Sequence, residues 1–271
     1  MRSILVHAMN DAGFDARLQV GLDLCRRFNA HLTVLQTITY DLVVPTDPFG
    51  VSAVEVSQAS MKLAEEFREK VESKLKQEDV RWDWHVEAGY QVQCLIRHAA
   101  LNDLVLLGGT PDGSEGRRSF SLAGTLAIHC RTPIMAVPHT ANGFPADTAA
   151  ALCWNGSMEA ARAMRAAVPL LSAASAVHIL CVGDPAEEGD EKLPAVSAAD
   201  YLERHDIDCE IVQLPAGKEP VHEMLRKAAE ARKAGFMVMG AYGQPRIVET
   251  LFGGVTRNVL AEPPMPVLMA H

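Results

Sequence analysis

The strongest constraint on how this chain folds is an alternation of β-rich and helical segments that occurs twice along its 271 residues. Runs rich in apolar and β-branched residues, such as 31–38 and 176–182, alternate with stretches whose apolar residues recur at helical spacing, such as 16–28. Strands that alternate with helices favour a mainly parallel sheet with right-handed crossovers, because the helices must return across its faces. We therefore predict an α/β fold with helices on both faces of the sheet.

The second round of this pattern also repeats short stretches of the first. For example, Glu-Ala-Gly at 87–89 corresponds to Pro-Ala-Gly at 215–217. A segment rich in Gly, Pro and Asn at 140–147 separates the two rounds and is typical of a linker. We predict two tandem domains, at 1–140 and 147–271, each built on a mainly parallel sheet of five strands.

The composition of the chain argues against nucleic acid and membranes as binding partners. Hydrophobic residues make up 48% and charged residues 22%, which is close to ordinary globular usage. A net charge of -9 gives no field that attracts nucleic acid or anionic lipid. No apolar run approaches the roughly 20 residues that cross a bilayer, and the first residues resemble a strand more than a signal peptide. We expect a cytoplasmic protein that binds neither nucleic acid nor membranes.

A glycine-bearing stretch in the second half is the best candidate for ligand chemistry. In a parallel α/β sheet a ligand binds outside the carboxyl ends of the strands, where the strand order reverses. The fourth strand of this half runs into Met239-Gly-Ala-Tyr-Gly243, and nine residues separate this stretch from Gly253-Gly-Val-Thr256. Glycines let a backbone approach a ligand, and the N–H groups that begin a helix bind phosphate. Alternatively, the glycines supply only turns and close packing.

Two longer stretches resemble a known family. Residues 151–162, Ala-Leu-Cys-Trp-Asn-Gly-Ser-Met-Glu-Ala-Ala-Arg, resemble the opening strand and helix of universal stress proteins. Residues 239–260 resemble the Gly-x2-Gly-x9-Gly-(Ser/Thr) nucleotide motif of that family, and 266–269 is similar to its last strand. The match covers 149–271, and the internal repeat extends it to the first half. The whole chain therefore resembles a tandem universal stress protein.

The resemblance implies a Rossmann-like fold of the adenine nucleotide alpha hydrolase-like type, with domains that pair through their terminal strands. It also implies an adenine nucleotide as ligand, ATP, ADP or AMP, with any Mg²⁺ held through the phosphates. Carried over to this sequence, it assigns contacts to adenine and ribose, to ribose and phosphate, and to the phosphates. Adenine and ribose would lie against Cys153, Trp154 and Asn155, and the base would border Val182. Ribose and phosphate would be approached by Gly240 and Gly243, which follow Met239, the other residue of the set, and the phosphates would be held by Gly253, Gly254, Val255 and Thr256.

Two of these residues depart from the family pattern. Nucleotide-binding members often have Asp where this chain has Asn155, and Ser where it has Gly254. Asparagine still offers an acceptor, and Gly254 keeps its backbone amide. One lost neutral hydrogen bond is worth about 1 kcal/mol, or roughly a fivefold change in affinity. We expect the second half to bind nucleotide, and the alternative is a vestigial site.

The first half departs further from the motif. Met9 stands where the resemblance expects Asp, and Phe120 falls in the place of the phosphate glycine when the motif is counted back from the last strand. We predict that the first half has lost its phosphate site. Arg117 and Arg118 either form a different anion site or are simply solvated.

Three functions fit this sequence: a nucleotide-sensing regulatory module, a stress or interaction protein with a vestigial site, and a related adenine-nucleotide hydrolase. The hydrolase needs a general base or a metal ligand beside the glycines, and Asn155 and Thr256 are poor acid–base groups near neutral pH. We expect a protein that is not an enzyme and holds no metal through its own side chains. Its halves would pair within one chain as a pseudo-dimer, and a homodimer would add a second chain.

Overall fold

The computed structural model describes residues 1–38, 51–108, 122–145, 147–183, 192–242 and 254–271, with only the backbone described for 51–60. No helix in these ranges is long and apolar enough to span a membrane. Phe120, in the place of the phosphate glycine, and the two arginines Arg117 and Arg118 lie outside the described residues.

Strands and helices alternate through both halves as predicted. The first half contains β1 (Ser3–Ala8), α1 (Phe14–Phe28), β2 (His31–Ile38), α2 (Val51–Leu75), β3 (Arg81–Ala88), α3 (Gln91–Ala99), β4 (Leu104–Gly108), α4 (Leu122–His129) and β5 (Ile134–Val137). The second half contains β6 (Ala149–Trp154), α5 (Met158–Leu171), β7 (Ala176–Val182), α6 (Ala195–Glu203), β8 (Cys209–Leu214), α7 (Val221–Ala231), β9 (Ala234–Gly240), α8 (Val255–Ala261) and β10 (Val267–Ala270).

The strands form one sheet in the order β3-β2-β1-β4-β5-β10-β9-β6-β7-β8. Neighbours within each half are parallel, whereas β5 and β10 are antiparallel, with Met135 opposite Leu268. The two predicted five-stranded sheets are therefore joined edge to edge through their last strands, the pairing that the family resemblance implies. The strand order of each half reverses beside its first strand, between β1 and β4 and between β6 and β9.

The core consists of two layers, one on each face of the sheet, and both layers run through the two halves. One layer is formed with α1, α2, α5 and α6, and the other with α3, α4, α7 and α8. All six residues of β6 are buried, as expected for a central parallel strand whose two faces are both covered. On the second face α4 packs against α8, so the halves contact each other through helices as well as strands.

Candidate functional site

The carboxyl ends of β6 and β9 lie side by side at the strand-order reversal of the second half. Cys153 and Met239, near the ends of these strands, are register partners, and Cys153 also pairs with Leu180 on β7. Parallel strands present their carboxyl ends at the same edge of a sheet, which is where ligands bind in this architecture. The structure therefore brings the predicted strand-end residues to one edge.

The turn after β6 exposes Asn155 and fixes its position. Asn155 Oδ1 accepts a hydrogen bond from the Ser157 N–H over 3.2 Å, a local turn that asparagine favours. Ser157 Oγ in turn accepts the N–H of Ala160 over 3.2 Å and caps α5. Gly156 between them has φ +73°, and a Cβ there would lie 2.8 Å from the Leu193 carbonyl oxygen, so only glycine fits. Asn155 is thus held, with its side chain exposed, directly after the carboxyl end of β6.

The two residues before Asn155 point into opposite core layers. The Cys153 side chain is buried in the layer of α7 and α8, and this burial raises the pKa of its thiol to about 12. The Trp154 side chain is 4% exposed in the layer of α5 and α6, where its Nε1 donates to the Leu193 carbonyl over 3.0 Å. Of the three consecutive residues predicted to contact adenine and ribose, Asn155 alone is exposed.

Gly240 at the end of β9 is in close contact with helix α5. A Cβ at this position would lie 2.5 Å from the backbone nitrogen of Ala160 and 2.7 Å from the carbonyl carbon of Glu159. These are backbone atoms of the first turn of α5, so a larger residue would have to displace the helix. Close packing, the alternative explanation of this glycine, therefore accounts for Gly240 without a ligand.

Beyond β9, three hydrogen bonds fix the chain. Ala241 N–H donates to the Ala270 carbonyl over 2.9 Å, and His271 Nδ1 donates to the Ala241 carbonyl over 2.8 Å. Tyr242 N–H donates to Thr256 Oγ1 over 3.3 Å. The end of β9 is therefore joined to the first turn of α8, which begins after Gly254. Sequence reasoning identified Thr256 but did not find the contact made by His271, which is itself exposed.

The other predicted residues lie around this edge or cannot be placed. Val182 ends β7, and Val255 opens α8, both partly buried against the layer of α7 and α8. Gly243 and Gly253, the outer glycines of the motif, lie outside the described residues. Within the described part of the chain, no three His, Cys, Asp or Glu side chains are grouped so that they could hold a metal ion.

The corresponding edge of the first half carries a polar cluster, formed by His7, Thr37 and Gln91, that sequence reasoning did not find. His7 is 2% exposed, and its Nε2 lies 3.1 Å from both Thr37 Oγ1 and Gln91 Nε2. Burial, together with the positive charge of Arg17, lowers the pKa of His7 to about 4. The imidazole is therefore neutral at neutral pH, and its Nε2 accepts from the Gln91 amide.

A buried arginine lies next to this polar cluster. Arg17 is 2% exposed, and its guanidinium binds the Asp11 carboxylate through two hydrogen bonds of 2.8 and 3.1 Å. Its Nε also donates to the His7 carbonyl over 3.3 Å. A Cβ on Gly108 at the end of β4 would collide with the Arg17 guanidinium. The guanidinium thus fills the space beside the carboxyl ends of β1 and β4.

The chain is similar to known proteins in sequence and in structure. The model of the universal stress protein family matches residues 150–271. A universal stress protein from Archaeoglobus fulgidus DSM 4304 is similar in structure over 99% of this chain and 96% of its own, with 15% identity and a TM-score of 0.76. A functionally unknown protein from Pseudomonas aeruginosa PAO1 is similar over 100% of this chain and 92% of its own, with 17% identity and a TM-score of 0.56.

A third similar structure is a universal stress protein in complex with cAMP. It is 18% identical and covers 47% of this chain and 99% of its own, with a TM-score of 0.36. No curated protein matches the chain in sequence. The two longer structural matches show that the fold of the whole chain, and not only of its second half, is that of these proteins.

Proposed function

Because the second half of this chain, residues 150–271, is a domain of the universal stress protein family, we propose that the protein is a stress-response regulatory module that binds an adenine nucleotide there. The ligand is ATP, ADP or AMP, and binding changes the stability of the chain or its affinity for a partner. The supporting observation is the position of three residues at the carboxyl ends of adjacent strands beside the strand-order reversal. Val182 and Gly240 end β7 and β9, and Asn155 directly follows β6.

The residues of this edge suit the parts of a nucleotide. The exposed Asn155 side chain offers hydrogen-bonding groups to a ribose, and Val182 offers an apolar border to a base. The N–H groups at the start of α8, after Gly254, have the polarity that favours phosphate oxygens. Mg²⁺ would enter with the phosphates and be held through them.

The same residues favour binding without catalysis. The Cys153 thiol has its pKa raised to about 12 by burial, so it carries no thiolate nucleophile at neutral pH. Asn155 and Thr256 cannot act as a general base in this range. We therefore propose a non-enzymatic role, in which the bound nucleotide is released unchanged. Incubation with ATP should yield no ADP above the rate of a buffer control.

A second candidate is a stress or interaction protein whose nucleotide site is vestigial. It is favoured by Gly240, whose contact with α5 requires glycine whether or not a ligand binds. The departures at Asn155 and Gly254 also fit this alternative. The two candidates differ in one observable, the binding of adenine nucleotide by the purified chain.

Calorimetric titration of the full chain with ATP, ADP and AMP tests the proposal. We expect saturation at one nucleotide per chain, because only the second half retains the motif. Gly253→Phe should abolish binding and keep the fold, since its ring would fill the phosphate position. Gly217→Phe, at an exposed glycine between β8 and α7, is the matched control and should bind as the parent does. Absence of binding at millimolar nucleotide would select the vestigial-site alternative, and two equivalents would show a working site in the first half.

A further inference from the structure

Thr256 joins the two ends of the glycine motif, the one that follows β9 and the one that opens α8. Its Oγ1 accepts the backbone N–H of Tyr242, and the two residues are 14 positions apart in sequence. Thr256 is 4% exposed and Tyr242 is partly buried, so this bond is largely shielded from solvent. It connects the end of β9 directly to the first turn of α8.

Tyr242 has a backbone conformation that a bulky residue rarely adopts. Its φ is +56°, in the left-handed region that favours glycine. Such a conformation persists only where the surrounding structure fixes it. Here both backbone polar groups of the preceding Ala241 are hydrogen-bonded, the Tyr242 side chain packs against the core layer of α7 and α8, and its amide is held by Thr256. The direction in which the chain leaves β9 is therefore set by these contacts.

We propose that Thr256 is a positioning residue for nucleotide binding, which acts by holding the Tyr242 backbone in this conformation. The inference rests on the proposed function of the second half. A site whose backbone is fixed before the ligand arrives loses less conformational freedom on binding, and its affinity is correspondingly higher. Because the hydroxyl accepts from Tyr242, it keeps its own proton, which it can donate to a ligand oxygen without breaking the bond to Tyr242.

Substitution of Thr256 separates this role from simple packing. Thr256→Val replaces the hydroxyl with a methyl group of similar size and removes the Oγ1 acceptor that the Tyr242 amide uses. Thr256→Ser keeps the hydroxyl. Thr125→Val, on the corresponding helix α4 of the first half, is the matched control. Thr256→Ala takes the place of the valine variant if that variant does not fold.

Two measurements are made on each variant of the full chain: hydrogen exchange at the Tyr242 amide and calorimetric affinity for ATP. In Thr256→Val we expect exchange to be about tenfold faster and ATP affinity about tenfold weaker, the effect of losing one partly buried hydrogen bond. Thr256→Ser should stay within about threefold of the parent in both, and Thr125→Val should match the parent.

The outcomes separate this inference from the proposed function. A parent that binds ATP, together with a valine variant that binds equally well, would overturn the positioning role and leave the function intact. Unchanged exchange at Tyr242 in the valine variant would show that Thr256 does not hold this backbone. A parent that binds no nucleotide would refute the proposed function and the positioning role together, while faster exchange in the variant would still confirm the Thr256–Tyr242 bond.

Discussion

The two halves of the sheet place different chemistry at corresponding strand ends. β1 and β6 are each six residues long, and their fifth residues are His7 and Cys153. These pair with Leu35 and Leu180, so Thr37 and Val182, each two residues further along, also correspond. The first half thus has a hydrogen-bonded histidine and threonine where the second half has a buried thiol and a valine.

The turns after β1 and β6 also differ, in their length. Residues 9–13 connect β1 to α1, whereas the shorter segment 155–157 connects β6 to α5. With the shorter turn, the backbone of α5 itself packs on Gly240, and with the longer turn the Arg17 guanidinium packs against Gly108. The glycine at the end of the fourth strand is therefore explained by packing in both halves. The halves differ in what occupies the space at the carboxyl ends of their strands. In the first half the Arg17 guanidinium occupies this space.

The largest expected effect comes from removing that cation. Arg17→Met leaves the Asp11 carboxylate and the His7 carbonyl without their buried partner, and we expect a loss of about 3–5 kcal/mol in the free energy of unfolding. Urea denaturation at pH 7.5 measures it.

The control for Arg17 lies on the same helix. Arg26 binds Asp23, Glu78 and Asp79 at the surface, and Arg26→Met should cost about 1 kcal/mol or less, because exposed ion pairs contribute little. Equal losses of unfolding free energy in the two variants would mean that the buried Arg17 contributes no more to stability than a surface arginine does.

The next effect is a dependence of stability on pH that arises from His7 in the first half. The pKa of His7 is lowered from 6.5 to about 4 in the folded chain, so the unfolded chain takes up its proton first as the pH falls. Stability from His7 is complete above pH 6.5, decreases between 6.5 and 4, and is lost below 4. Between pH 7.5 and pH 5 the loss should be about 2 kcal/mol.

His7→Gln provides the comparison, because glutamine is polar and does not titrate. Carboxylates and other histidines contribute equally to both proteins, so the difference between their unfolding free energies isolates His7. We expect the variant to lose about 2 kcal/mol less than the parent over this pH range. Parallel stability curves for the two proteins would show that His7 is not held neutral by its surroundings.

The fold was predictable from sequence because hydrophobic periodicity determines it locally. The strand expected at 31–38 and the one expected at 176–182 are observed with those bounds, since alternating apolar residues and flanking polar turns mark both. The joining of the sheets through β5 and β10 came from the family resemblance, because a four-residue strand carries no signal about its partner.

The polar contents of the site edges were not predictable in this way. Arg17 lies among apolar residues at helical spacing, and the sequence alone suggests an exposed charge on α1. Its burial follows from Asp11 in the preceding turn and Gly108 on a distant strand, and this combination becomes visible only when the chain is folded. Likewise, the helix contact of Gly240 is made by Ala160, 80 positions earlier, whereas the glycine spacing left a ligand and close packing as alternatives.

The smallest expected effect tests whether the different residues at the strand ends of the two halves determine which half binds a ligand. Asn155→Asp restores the residue that the family pattern favours, and its carboxylate can still accept the Ser157 N–H. If the second half binds nucleotide, a charged acceptor should raise its affinity about fivefold in a calorimetric titration. Met9→Asp makes the corresponding change in the first half, where Arg17 and the polar cluster already fill the edge, so it should neither raise affinity nor add a second equivalent. A second equivalent of nucleotide bound by Met9→Asp would show that the first half lacks only this carboxylate. The Arg17 guanidinium at its strand ends would then not be the reason that the first half binds no nucleotide.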